Sequence, residues 1–294
     1  MNAGVFKICV NSVIIFGLHR ILFILFCFSR VYAQVALSGK ITEEKSGLPV
    51  PYASVGISGK HYGTLSNADG VFTLKLPYLT EKDTLKISAI GYETATFAKP
   101  DLKGFTNKVI SLKPVVVDLT TVDVKAKTIK RKVLGTTKYS TRNCTAFVTE
   151  DENWLGSQAA ILAGNKKGQS VYIEDFSFYI IKNTFEDSIK FRLMFYAVSP
   201  KGYPYQSFLK RPVIFKTNVK QGVVTVDLKD YYITTDDDFF ISLECLEEKM
   251  DATKFCFAGS VNTPSYCKTK VFGYWRRVKG GGADFNVTVS YLNN

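Results

Sequence analysis

Residues 63–92 read GTLSNADGVFTLKLPYLTEKDTLKISAIGY, and this stretch decides the fold class. Asn67-Ala68-Asp69-Gly70 is a turn signal. Asn and Asp can bond their own backbone, and Gly supplies a positive φ. Phe72, Leu74 and Leu76 then alternate with Thr73 and Lys75, the two-residue period of a half-buried strand. Leu85, Ile87 and Ala89 repeat that period after Asp83. Gly91-Tyr92 closes the run, setting a large ring beside a residue without a side chain. The reading is two strands, each entered through a sharp turn.

Working outward, Gly39-Lys40-Ile41 and Gly47-Leu48-Pro49 through Ala53-Ser54-Val55 stand in front of this stretch. With Gly63-Thr64 through Val71-Phe72, and Asp83-Thr84-Leu85 through Gly91-Tyr92, they make four blocks in order. Those blocks resemble the carboxypeptidase-regulatory-like domain, over about residues 35–115. The resemblance implies a small β-sandwich of transthyretin-like shape in an exported protein of Bacteroidetes type. It implies a structural or adhesive module rather than an active site. That domain accompanies true carboxypeptidases and also fronts TonB-dependent receptors. The catalytic domain of the former is missing here, and the chain is too short for the closed barrel of the latter.

The chain has 294 residues, enough for two domains of ordinary size. Its 16 Tyr and 22 Phe, with many Val and Thr, favour strands over helices. The expected class is all-β, an N-terminal transthyretin-like sandwich followed by a C-terminal jelly-roll-like sandwich. Residues 1–33 read as a secretory signal peptide, with apolar runs at 13–18 and 21–28 and a small-residue end at Val31-Tyr32-Ala33. An uncleaved anchor is the weaker reading, because neither apolar run alone is long enough to span. Net charge is +12 over the whole chain. Lys7, Arg20 and Arg30 account for three of those charges, so the remainder stays basic. In an exported chain this favours an anionic polysaccharide, lipid headgroups or an acidic protein over nucleic acid; a solvated Lys-rich surface is the bland alternative.

Residues 34–115 are the expected first domain, with about seven short strands. A strand-like run at 119–124 follows, then a basic stretch at 126–141 carrying Lys127, Lys130, Arg131, Lys132 and Lys138. Residues 116–141 thus read as linker. Residues 142–294 form the expected second domain. Ile189, Phe191, Leu193, Phe195 and Ala197 alternate clearly there, and further strands are expected at 213–215, 223–226, 239–246, 255–258, 271–275 and 285–291. Residues 153–163 are the best candidate for a helix. Phe191-Arg192-Leu193, Gly202-Tyr203-Pro204, the run 222–228 and the run 239–244 resemble a second domain found behind the first in similar exported proteins, one of the jelly rolls that often bind carbohydrate.

Chemistry-bearing residues are sparse. Of two histidines, His19 lies in the leader, so a Ser-His-Asp or Cys-His system would have to use His61, which reads as an exposed turn residue, and a His-based metal site fails for want of histidines. Asn67-Ala68-Asp69-Gly70 is not an EF-hand fragment: Leu65 and Leu76 stand where acids are needed. Asp236 and Asp238 precede a strand, where jelly rolls can hold a structural calcium; a charged hairpin turn is the plain reading, and no other cofactor is implied. Glu174 and Asp175 are neighbouring acids, set on opposite faces if their strand is regular, and so poor glycosidase partners. Cys144, Cys245, Cys256 and Cys267 allow two disulfides in an exported chain, with Cys256–Cys267 the favoured pair across one turn. Tyr203 and Tyr205 in a predicted loop, and Trp275 before Arg276-Arg277, could form a sugar-stacking platform. The expectation is a non-enzymatic, exported binding or structural protein of the periplasm, outer membrane or cell surface. It would bind glycan or an envelope protein, with peripheral membrane association an option. A polysaccharide-acting hydrolase, or an accessory domain of one, is the alternative. The sequence does not set the oligomeric state.

Overall fold

A computed structural model of the protein describes residues 34–115, 128–149, 153–165, 168–261 and 263–292. The expected signal peptide and the run 119–124 lie outside these. The first domain contains β1 (Val35–Glu43), β2 (Ser54–Ile57), β3 (Gly63–Leu65), β4 (Val71–Leu76), β5 (Thr84–Ser88), β6 (Ala95–Ala98) and β7 (Lys108–Leu112). They form two sheets, β4-β1-β7 and β3-β2-β5-β6. The pairs are antiparallel except β1 with β7, which is parallel. The two-residue period does what it predicts: Phe72, Leu74, Leu76, Leu85 and Ile87 are buried between the sheets with Leu37, Ile41, Val55 and Ile110.

The turn chemistry holds as well. Asn67 Oδ1 accepts the amides of Asp69 at 3.0 Å and Val71 at 2.9 Å. Gly70 sits at φ +75°, where a Cβ would lie 2.4 Å from the Ile41 carbonyl oxygen. Asp83 closes the next turn by accepting the Thr80 amide and pairing with Lys60 Nζ at 2.7 Å.

The second domain packs two larger sheets over a core rich in phenylalanine. One sheet holds β10 (Gln158–Ala163), β12 (Ile189–Val198), β13 (Pro204–Ser207), β14 (Val213–Thr217), β17 (Phe239–Cys245), β19 (Ser265–Lys268) and β20 (Arg276–Val278). Its order is β13-β12-β17-β10-β19-β20, with β14 also on β12. The other holds β8 (Ile129–Gly135), β9 (Cys144–Thr145), β11 (Val171–Asn183), β15 (Gly222–Asp227), β16 (Thr234–Thr235), β18 (Phe255–Ser260), β21 (Gly282–Ala283) and β22 (Phe285–Leu292). Its central order is β18-β11-β22-β8. The chain switches layer from β10 to β11 to β12, and again from β17 to β18 to β19, as jelly rolls do. Phe176, Phe178, Phe191, Phe195, Phe255, Phe257 and Phe285 fill the space between the layers. The chain is all-β, as expected.

Four local expectations are corrected. Residues 129–135, taken as linker, are the edge strand β8, paired to β22 from Ile129↔Leu292 to Asn286↔Gly135. Edge strands carry lysines against edge-to-edge association, and those lysines masked the strand period. Residues 153–163 end in β10 rather than forming a helix. β10 lies between β17 and β19, so nearly every side chain is buried and no alternation shows. Residues 271–275 are not a strand: Val271 and Phe272 pack under the first domain, and Phe272 has φ +59°. Cys256 bonds Cys144, not Cys267. β9 lies beside β18 in one layer and brings Cys144 to Cys256, while Cys267 on β19 belongs to the opposite layer. Cys245 and Cys267 are buried free thiols.

The two domains meet directly. Leu65 of the first packs with Leu155, Leu246 and Val271 of the second, flanked by Tyr52, Ile214 and Phe272. A Cβ on Gly63 would lie 2.4 Å from Val271 Cγ2 and 2.5 Å from its carbonyl oxygen. The glycine that opens the deciding stretch is therefore also what lets the second domain approach.

Candidate functional site

The outer face of the β10–β12–β17–β19 sheet is unusual because half of it is polar yet buried. Cross-strand register lines up Arg192 with Glu244, Glu244 with Gln158, and Gln158 with Lys268. This makes one charged row across four strands. Arg192 Nε meets Glu244 Oε2 at 2.6 Å, with both side chains almost fully buried. Gln158 Nε2 donates to the other carboxylate oxygen at 3.1 Å. Tyr196 Oη and Ser242 Oγ donate to Gln158 Oε1 at 2.8 and 3.1 Å. A buried pair survives only when its remaining hydrogen-bond capacity is met, and here the amide and hydroxyls meet it. Arg192 also donates to the Tyr52 carbonyl at 2.6 Å, and Lys190 Nζ lies 2.5 Å from the Tyr52 hydroxyl. The network therefore ties the first domain to this sheet.

Next to the charged row the same face turns aromatic. The following rows align Ala160 with Tyr266, and Tyr196 with Phe240 and Leu162. Tyr266 meets Phe240 edge-on at 4.9 Å and Tyr203 at 5.5 Å; Trp275 meets Tyr196 at 5.6 Å. Phe240 and Tyr196 are buried, Tyr266 and Trp275 half-buried, and Tyr203 exposed. The Lys268 ammonium stands at the junction, 4.9 Å from the Trp275 ring centre and 5.7 Å from that of Tyr196. Burial, aided by Arg192 and opposed by Glu244, pushes its pKa down to about 8. Burial also raises the Tyr196 phenol, so that group stays a neutral donor.

Two of the three expected platform residues, Tyr203 and Trp275, thus reach one face, each seated on a second ring. Tyr205 is 62% exposed and is not among the ring contacts of that cluster. Tyr266, Tyr196, Phe240 and Lys268 complete the face without any local sequence signal for it. They sit on three strands far apart in the chain, β12, β17 and β19, and only register brings those strands together.

The acidic expectations fall elsewhere. Asp238 Oδ1 accepts the Asn165 amide at 2.7 Å, and the Asp236 carbonyl accepts the Gly168 amide. Both residues thus hold the neighbouring loop. Among the described residues no three His, Cys, Asp or Glu side chains gather closely enough to share a metal ion. The strand carrying Glu174 and Asp175 is not regular: register slips between Ile173 and Asp175, and both acids face outward. Glu174 accepts Arg131 Nε at 2.8 Å, and that partner holds its carboxyl below the ordinary value.

Residues 37–124 match the family model described as CarboxypepD_reg-like domain. The match takes in the run 119–124 and confirms the four-block reading. No curated protein matches the chain. Among solved structures, infectious bursal disease virus Gx strain aligns at 9% identity, covering 88% of this chain and 60% of that one, with a TM-score of 0.27. A DUF3823 family protein from Bacteroides uniformis aligns at 8% identity, covering 85% and 98%, with a TM-score of 0.18. This chain spans about three fifths of the viral chain's length. Scores this low carry no argument about function.

Proposed function

We propose that the protein, whose residues 37–124 form a CarboxypepD_reg-like domain, is a non-enzymatic binding protein of the bacterial envelope. In this reading its second domain binds glycan on the outer sheet face. The observation that carries it is the ring cluster of Tyr203, Tyr266 and Trp275, partly open to solvent and rigidly backed by Tyr196 and Phe240. Rings held edge-on by neighbours offer flat apolar faces that match the C–H face of a sugar, with little entropy left to lose. Lys268 beside them supplies a polar contact. Export is supported by the Cys144–Cys256 disulfide, which persists in oxidising compartments. The first domain serves as the mount: it clamps the sheet through Tyr52 and presses on Val271 and Phe272.

A glycan array followed by titration tests this. Trp275→Ala and Tyr266→Ala each lower affinity for the best hit by tenfold or more, the loss of about 1.4 kcal/mol that truncating a central aromatic anchor brings. Tyr205→Ala changes it little. Retention of wild-type affinity in both ring variants, with unchanged melting temperatures, overturns the assignment to this face.

A further inference from the structure

The charge on this face is unbalanced. Glu244 is satisfied by Arg192 and Gln158. No carboxylate of the described residues closes an ion pair with Lys268, although Glu244 lies near enough to feel its charge. Within the row, Arg192, Glu244 and Lys268 therefore leave one positive charge in a largely ring-lined, half-buried setting. The rings of Tyr196 and Trp275 lie against Lys268 and are neutral, and Arg277, opposite Tyr266 in the next row, adds a further positive charge to this face. The chain around them is basic.

We propose that the ligand is an acidic glycan, whose carboxylate or sulfate meets the Lys268 ammonium while its sugar ring lies on Trp275. This rests on the glycan reading above and adds to it the chemical class. A ligand anion there would complete the charged row by exchanging Lys268's partial hydration for a charge-assisted bond in a poorly solvated site. Two physical consequences follow. Affinity falls with salt, because the attraction includes the long-range field of a basic protein. Binding near pH 8 draws in a proton, because the anion restores the charged form of an amine whose pKa burial holds near 8.

The test uses the full-length protein, wild type and Lys268→Met, which keeps an apolar stem on the face. Uronate and sulfated oligosaccharides are titrated calorimetrically beside their neutral counterparts, made by carboxyl reduction or desulfation. Each titration is run at pH 8 at equal ionic strength in Tris and in tricine, whose ionisation heats differ. The expected result is at least tenfold tighter binding of the acidic forms, with proton uptake, both lost in Lys268→Met. A second variant, Lys268→Arg, restores the acidic preference without the proton uptake. If neutral and acidic forms bind wild type equally, the acidic assignment falls and the glycan reading stands. If neither binds at millimolar concentration, both fall.

Discussion

Asp83 shows how a single side chain fixes a turn. It is nearly buried and holds the Thr80 amide and the Lys60 ammonium. Burial alone would raise its pKa, but those partners outweigh it and keep the carboxyl below the ordinary value. A depressed carboxyl contributes stability that is present above its unfolded pKa and is lost as pH falls through the folded one. Asp83→Asn therefore costs about 1–3 kcal/mol at pH 7. Denaturant titrations of wild type and variant should converge as the pH falls through the depressed folded pKa, below the ordinary carboxylate value, where both side chains are neutral. A gap that persists unchanged at low pH would remove the ion pair from the account.

At the scale of elements, β9 exists largely to deliver Cys144 to β18. It is two residues long and pairs through Thr145↔Phe257 and Cys144↔Ala258. The Cys144–Cys256 bond closes a loop across 112 residues. Such a link stabilises chiefly by restricting the unfolded chain, and removing it by Cys144→Ser costs about 2–5 kcal/mol. Peptide mapping without reduction should recover Cys144 joined to Cys256. Cys245 and Cys267 should react with alkylating reagent only after unfolding, since both are buried and burial pushes the Cys245 thiol up to about 12. Recovery of a Cys256–Cys267 peptide would contradict the layer assignment of β19.

At the scale of the molecule, the contact between the two sandwiches is apolar, close and backed by a hydrogen-bonded clamp, and it should make them melt together. Gly63→Ala puts a methyl group into Val271, a residue of the interdomain cluster. The single calorimetric transition expected of the wild type should then split in two, one per domain, because the contact that couples them is lost. Hydrogen exchange should rise over residues 269–275, the stretch that presents Trp275. One unchanged transition in the variant would show that the interface tolerates the methyl group and that the coupling lies in the Tyr52 clamp.

The sequence by itself determined the class, the first domain and its turns. Local signals carry those: the period of two in β4 and β5, the Asn67–Gly70 turn, and the anchoring Asp83. It also put forward Tyr203, Tyr205 and Trp275, because aromatic residues beside turn residues are visible in one dimension, but not that Tyr205 stands apart from the other two. It could not show the edge strand β8, whose lysines hide the period, or β10, whose burial on both sides erases it. Nor could it pair the cysteines, since pairing depends on which layer each strand joins. The face that unites Arg192, Glu244, Gln158 and Lys268 was decided only by tertiary structure. Cross-strand register is set by how whole sheets pack, and it places side by side residues that lie far apart along the chain.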